Sequence, residues 1–405
     1  MIPAYVDALC KEIEFVGNSA RAERSDSGDE AQVYTVFFGG GTPSLLSPHQ
    51  FDSIFKSIRA NFTLTEDAEI TIEANPGTCS FAQLLDLRSI GINRISFGVQ
   101  SANMEELRML ERTHDFFTVI EAVTSARKAG FDNLNLDLIY ALPEQTLQTW
   151  QTTVKRILDL HPEHISAYAL TLEHGTPFGR WASKGLLPLP NPDLAADMYE
   201  WASETLESAG YVQYEISNWA KDLASSGGLS SERSERIETR RRDAYNHPSR
   251  ACRHNLQYWR GLPYLAFGAG AHGYANGYRY SNALRIKTYI ERTTNSPILQ
   301  PFDAAQGKSP VSDLAFPLSP ATVNQHRQSL NDDMSEFMMT GFRLTQEGVS
   351  AQEFEQRFGN PLRGVFGKEI DELLKLGLIE SQTSEVLRLT KRGRLLGNQV
   401  FMRFV

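Results

Sequence analysis

The chain has 405 residues, 40 basic against 49 acidic for a net charge of −9, and 41% are hydrophobic. That composition supplies a buried core and excludes wholesale disorder, while the acidic balance argues against a broad nucleic-acid-binding surface. No apolar run approaches the roughly 18 residues of a membrane span. The first residues carry no signal or transit pattern, and three cysteines are too few for a disulfide scaffold, so a cytoplasmic protein is expected.

Strands and helices alternate in the first half. Short β-rich runs begin near Val33, Glu69, Ile92, Leu134 and His164, at separations of 36, 23, 42 and 30 residues, which is βα-unit spacing. In residues 133–138 the leucines 134, 136 and 138 share one face, and Asn133, Asn135 and Asp137 share the other. In residues 69–73 both glutamates lie opposite Ile70 and Ile72. A strand covered on both faces reads apolar throughout. One that is apolar outside and polar inside suits an open, splayed barrel around a ligand.

Helices over 116–129 and 194–209 stop at Gly130 and Gly210, natural residues just past a helix end. Residues 221–250 hold six serines, seven basic and five acidic residues and read as a solvated insertion. Residues 293–325 read as a second loose linker. A helix over 332–344, a capping-box pattern at 350–353, a helix over 362–376 and a strand and turn over 386–393 predict a small winged-helix-like domain. Glu347, Glu353, Glu355, Glu369, Asp371, Glu372 and Glu380 make it a poor DNA binder, and a structural or docking role is expected.

Phe37-Phe38-Gly39-Gly40-Gly41-Thr42 places three glycines after a strand, where backbone N–H groups can approach a ligand. The alternative is a tight turn into a helix. No lysine accompanies it, so it is not an ordinary phosphate loop. Glu73, Gln100 and Asp137 follow at or near successive strand ends, and Arg112 stands in the next helical region. Each is explicable singly as structure; together they favour a site. Downstream, Arg253-His254-Asn255-Leu256-Gln257-Tyr258-Trp259 sets a histidine beside two aromatics. It can bind haem iron or simply pack a junction. Gly268-Ala269-Gly270-Ala271-His272 makes a glycine loop with a second histidine.

The strings GGGTPSLL from Gly39, EANPG from Glu73, RISFGVQS from Arg94, NLDLIYALP from Asn135 and RHNLQYW from Arg253 resemble the oxygen-independent coproporphyrinogen III oxidase-like radical S-adenosylmethionine (SAM) proteins. Within them the chain resembles the HemW-type haem chaperones. The resemblance implies an α/β fold: a partial (β/α)6 radical-SAM-type barrel, here lacking its first strand, with a small C-terminal winged-helix-like α+β domain. The division expected is a partial barrel over 1–220, an insertion over 221–250, a core-completing segment over 251–292, a linker over 293–325 and a C-terminal domain over 326–405. It also implies that Gly40, Gly41, Thr42, Glu73, Gln100, Arg112, Asp137 and Thr171 contact SAM. His254 is then a possible haem-iron ligand, with His272 secondary. Haem or porphyrin and haem-receiving proteins are the partners implied.

One departure stands out. The family holds a 4Fe–4S cluster with CxxxCxxC, and the cysteines here are Cys10, Cys79 and Cys252, without such spacing. Residues 4–9 resemble the helix that follows the motif, so a truncated frame is expected rather than a true loss. The chain as it stands is not expected to cleave SAM. Two functions remain: a haem chaperone, or, for a full-length form, radical decarboxylation of coproporphyrinogen III.

Overall fold

The computed structural model describes residues 1–23, 32–172, 176–188, 191–222, 247–295, 314–383 and 385–405. Most of the expected 221–250 insertion and 293–325 linker lies outside them.

The largest sheet has seven strands: β1 Gln32–Phe38, β2 Thr63–Ala74, β3 Arg94–Gln100, β4 Leu134–Tyr140, β5 His164–Ala169, β6 Tyr211–Glu215 and β7 Asn218–Lys221, in the order β1-β2-β3-β4-β5-β7-β6. β2 to β5 pair in parallel and β5–β7–β6 antiparallel. The order is open, with β1 and β6 at its edges among the described residues. All five runs expected from the sequence are therefore strands, although β2 starts six residues before Glu69. β6 and β7 are too short for periodicity to reveal them. The intervening helices are α1 Ile2–Glu23, α2 Pro48–Asn61, α3 Phe81–Ile90, α4 Met104–Met109, α5 Phe116–Lys128, α6 Leu147–Leu158, α7 Pro177–Ser183 and α8 Pro192–Ser208. Their starts are chemically fixed: Ser47, Ser80 and Thr146 close capping boxes, and Asp115 and Asn191 cap α5 and α8.

Both faces of the central strands are buried. Leu134, Leu136 and Leu138 pack outward, yet Asn135, Ser96, Thr71 and Ser166 on the other face are buried too. Much of the polar face expected to front a ligand is therefore internal. Nearer the strand starts the protein's own amides and hydroxyls satisfy one another, as buried polar groups must.

The chain divides into two compact units. The first comprises Met1–Val36, Leu46–Glu69 and Arg253–Met334. It contains α1, α2, α9 Arg253–Trp259, α10 Ile286–Thr294 and a sheet of β8 His272–Ala275, β9 Tyr278–Asn282 and β10 Thr322–Arg327 in the order β10-β9-β8. Ala8, Ala283, Tyr289 and Ala321 form a small core within it. Beside that core the buried Glu12 of α1 accepts from the Gly268 N–H at 2.9 Å, Asn282 Nδ2 at 2.7 Å, Tyr289 Oη at 2.6 Å and Ser319 Oγ at 2.7 Å. Four donors on one carboxylate are what a buried charge requires. Gly268 has φ +100°, and a Cβ there would stand 2.6 Å from Tyr5 Oη, so only glycine fits.

The second unit, Phe37–Leu45, Ile70–Cys252 and Ser335–Val405, holds most of the sheet and the C-terminal region. There lie most of α11 Leu330–Gly341, then α12 Ala351–Phe358, α13 Leu362–Lys375, and a sheet of β11 Val349–Ser350, β12 Ile379–Thr383 and β13 Val386–Leu389. Ser350 caps α12 as the sequence pattern requires, accepting from the Glu353 N–H. Phe337, Phe354 and Phe358 meet at ring-centroid distances of 4.8 to 5.7 Å and form its aromatic core. The expected winged-helix-like α+β domain is present.

Candidate functional site

In the second unit one group of polar side chains stands at the ends of β1, β2 and β3 and in the middle of β4. After β1 the backbone of Gly40 and Gly41 takes φ +77° and +41°. A Cβ at either would have nothing within 4 Å, so this backbone lies open to a ligand. The Gly40 N–H donates to Glu73 Oε2 at 3.1 Å and ties the loop to the end of β2. Thr42 begins the following turn, its carbonyl accepting from the Leu45 N–H at 3.1 Å.

Glu73 faces a second carboxylate. Burial, then the charge of Asp137, pushes its pKa upward. Burial likewise raises Asp137, opposed by hydrogen bonds from Ser96 and Asn135. Ser96 Oγ donates to Asp137 Oδ2 at 2.8 Å, and Asn135 Nδ2 donates to Oδ1 at 2.7 Å. Ser166 also hydrogen-bonds to the carboxyl group, whose two oxygens still keep further acceptor capacity. Two such oxygens suit a pair of donors presented together, as on a vicinal diol.

Gln100 ends β3 at φ +70°, in the left-handed region, next to a register shift between Phe97 and Gln100. A non-glycine residue held there stores strain, a feature that clusters at sites. Its Nε2 and Asn75 Oδ1 flank Gly98, 3.1 and 3.4 Å from where a Cβ would stand. Asn75 Oδ1 accepts from Arg112 Nη1 at 3.2 Å, while the buried Arg112 Nε has no hydrogen-bond partner among the described residues. A guanidinium steered from one side is suited to an incoming carboxylate. A hydrogen bond joins Gly40 to Glu73 and electrostatic repulsion couples Glu73 to Asp137, and Asn75, which holds Arg112, lies two residues beyond Glu73. Thr171 is two residues past β5 and exposed, and no hydrogen bond among the described residues ties it to this group.

In the first unit, α9 carries the histidine string. Glu69 Oε2 and Oε1 accept from the backbone N–H groups of Arg253 and His254, both at 3.1 Å, which caps the helix with a carboxylate. Arg253 Nη1 donates to the Asp67 carbonyl at 2.8 Å. His254 is half-buried, and its Nδ1 lies 3.0 Å from Thr35 Oγ1. A hydrogen bond at Nδ1 fixes the ring and makes Nε2 the nitrogen suited to a metal. Tyr258 stands edge-on to His254 at 5.0 Å and packs on Tyr264 at 4.2 Å between centroids. Burial, then Tyr264, pushes the Tyr258 pKa to about 12. Arg279 extends the row, donating to Tyr264 Oη at 2.8 Å and lying over the Tyr274 ring at 4.6 Å. Trp259 is half-buried. His272 opens β8, exposed, with Ser281 as its strand partner.

The cysteines do not fit an iron–sulfur cluster. Cys10 and Cys79 are half-buried, Cys252 is buried, and no disulfide joins them. Among the described residues no three His, Cys, Asp or Glu side chains converge on a metal position.

Two family models match: the radical SAM superfamily over residues 21–157, and the HemN C-terminal domain over 328–396. The "Heme chaperone HemW" of Bacillus subtilis strain 168 is 33% identical over 405 residues, covering 100% of this chain and 92% of that protein. The chain belongs to the HemW family of radical SAM proteins. The HemW of Escherichia coli K12 is 32% identical over 92% of this chain and 84% of its own length. Among solved structures, the coproporphyrinogen III oxidase HemN of Escherichia coli matches with TM-score 0.71 and 24% identity, covering 99% of this chain and 82% of that one. That likeness carries the fold. The HemW relatives carry the branch.

Sequence reading passed over the supporting residues. Nothing local marks Asn75 or Ser96 as a partner of the site, and alternation marks Asn135 only as a polar-face residue. Thr35 and Glu69 are 219 and 185 positions from His254, and no local pattern links them.

Proposed function

We propose that the chain is a haem chaperone that binds haem through His254 and hands it to a recipient protein, with a SAM pocket in its second unit. The observation that carries the haem reading is His254 itself: its backbone is capped by Glu69, its Nδ1 is held by Thr35, and Tyr258 stands at its edge. A held imidazole beside aromatic rings suits haem iron and the macrocycle. The HemW relatives are named for the same cargo.

The residues also fit SAM. The open Gly40–Gly41 backbone and Thr42 suit the methionyl part, Arg112 the carboxylate, Glu73 the ammonium, and Asp137 with Gln100 the ribose hydroxyls. SAM brings a cation to two facing carboxylates and so relieves their repulsion. When bound, SAM supplies a sulfonium and, with a reduced cluster, radical chemistry. The cysteines present do not supply that cluster, and no step is derived through it. Thr171 remains a weaker SAM contact and His272 a secondary haem ligand. Coproporphyrinogen decarboxylation by a full-length form is the second reading; the likeness to HemN supports its fold.

Titrating the purified chain with haem tests the primary reading. A Soret band that is lost or displaced in His254→Ala and retained in His272→Ala supports it. Identical spectra for wild type and His254→Ala would remove its basis.

A further inference from the structure

Behind Asp137 runs a buried chain of hydrogen bonds. Asn135 Nδ2 donates to Asp137 Oδ1 and to Ser96 Oγ, each at 2.7 Å, and Ser96 Oγ donates onward to Asp137 Oδ2. Asn135 Oδ1 lies 2.6 Å from His164 Nδ1 and accepts from Ser166 Oγ at 3.1 Å. His164 Nε2 lies 2.8 Å from Tyr214 Oη, which accepts from the Cys252 backbone N–H at 3.2 Å. Asn135, His164, Tyr214 and Cys252 are all buried, and every member belongs to the second unit.

The direction of each bond follows from its two ends. A backbone N–H only donates, so Tyr214 accepts from Cys252 and has its own proton to give. His164 Nε2 is the acceptor within reach, so that nitrogen carries no proton. At the other end Asp137 Oδ1 accepts from the Asn135 amide nitrogen, so the Asn135 oxygen faces His164. His164 must therefore donate from Nδ1. Burial, the leading cause, holds the His164 pKa well below its ordinary value, so the ring is neutral. Every proton in the chain points toward Asp137.

We infer that His164 is a positioning residue: locked as the neutral Nδ1–H tautomer between Tyr214 and Asn135, it fixes the Asn135 amide and thereby holds the Asp137 carboxyl group aimed at the ribose diol of an adenosyl ligand. The inference rests on the adenosyl reading of the pocket. A ring protonated at Nε2 instead would turn the Asn135 oxygen toward the carboxylate, removing one donor and opposing two acceptors. A role confined to packing would be indifferent to the tautomer.

The test uses the full chain labelled with 15N-histidine, with His164 assigned by difference against His164→Asn among nine histidines. The expected spectrum shows His164 neutral, with Nδ1 protonated and Nε2 bare; an Nε2–H tautomer or an imidazolium overturns the inference. Calorimetry with S-adenosylhomocysteine and its 2′-deoxy analogue then reads the consequence. His164→Asn keeps a donor at the Nδ1 position and should bind within about threefold of wild type, whereas His164→Phe should lose about tenfold for the ribose ligand. The 2′-deoxy analogue should lose clearly less. Equal losses for both ligands, or none, would reduce His164 to packing. If His164→Phe does not fold, Tyr214→Phe removes the proton given to Nε2 and should produce the same selective loss with a shifted tautomer. Failure of wild type to bind either ligand would sink the adenosyl reading, and the role with it, while the tautomer is decided separately.

Discussion

Glu12 offers the sharpest test of the first unit. Its Oε1 accepts from Asn282 and Ser319, and its Oε2 from Gly268 and Tyr289. Glu12→Gln keeps the volume but leaves one oxygen and one amide. The hydroxyls of Ser319 and Tyr289 can rotate to accept from the amide; the Gly268 N–H and the Asn282 amide cannot both be served. One buried donor is stranded and two charge-assisted bonds are lost, offset by removal of a buried charge. The net cost is about 2 kcal/mol at neutral pH, and the Gly268 amide should exchange faster. Burial, outweighing the four donors, raises the Glu12 pKa above 4.5. A carboxyl raised in the folded state contributes stability that is fully present below its unfolded value and lost as pH rises through the folded one. The gap between wild type and Glu12→Gln should therefore widen as pH falls through that raised value toward 4.5. Melting at several pH values, with hydrogen exchange at Gly268, measures both effects. Equal melting temperatures at neutral pH, or a gap that narrows on acidification, would refute the reasoning.

Asn75→Ala removes the oxygen that steers Arg112 and should weaken S-adenosylhomocysteine about five- to tenfold by calorimetry, while 5′-methylthioadenosine, which lacks the carboxylate, changes little. Thr35→Val should leave the fold intact yet lower haem affinity and shift the Soret band of the His254 complex, because the ring loses its Nδ1 partner. Gly268→Ala should lower the melting temperature markedly, by a cost of about 1–3 kcal/mol or more, since φ +100° and the Tyr5 hydroxyl both oppose a Cβ; a neutral outcome would show that the loop yields.

The sequence was legible where structure is local. Alternation in 133–138 placed β4 and its buried leucines, the glycines after 129 and 209 marked helix ends, and the strings from Gly39 to Trp259 named the branch. The cysteine spacing departs from CxxxCxxC in the sequence itself. Period-two alternation could say that Asn135 and Asp137 share a face. It could not say that Asn135 is spent inside the protein while Asp137 reaches a site, because that depends on which strand lies alongside and in what register. Pairing Asn135 with His164 in β5 sets the one, and the approach of Glu73 from the end of β2 sets the other. The same holds for His254, whose helix cap and ring partner come from β2 and β1, and for Glu12, whose four donors arrive from residues 256 to 307 positions away. Backbone periodicity is written in neighbouring residues. The partners of a buried polar group are chosen by the fold, because only packing decides which donors must leave water together.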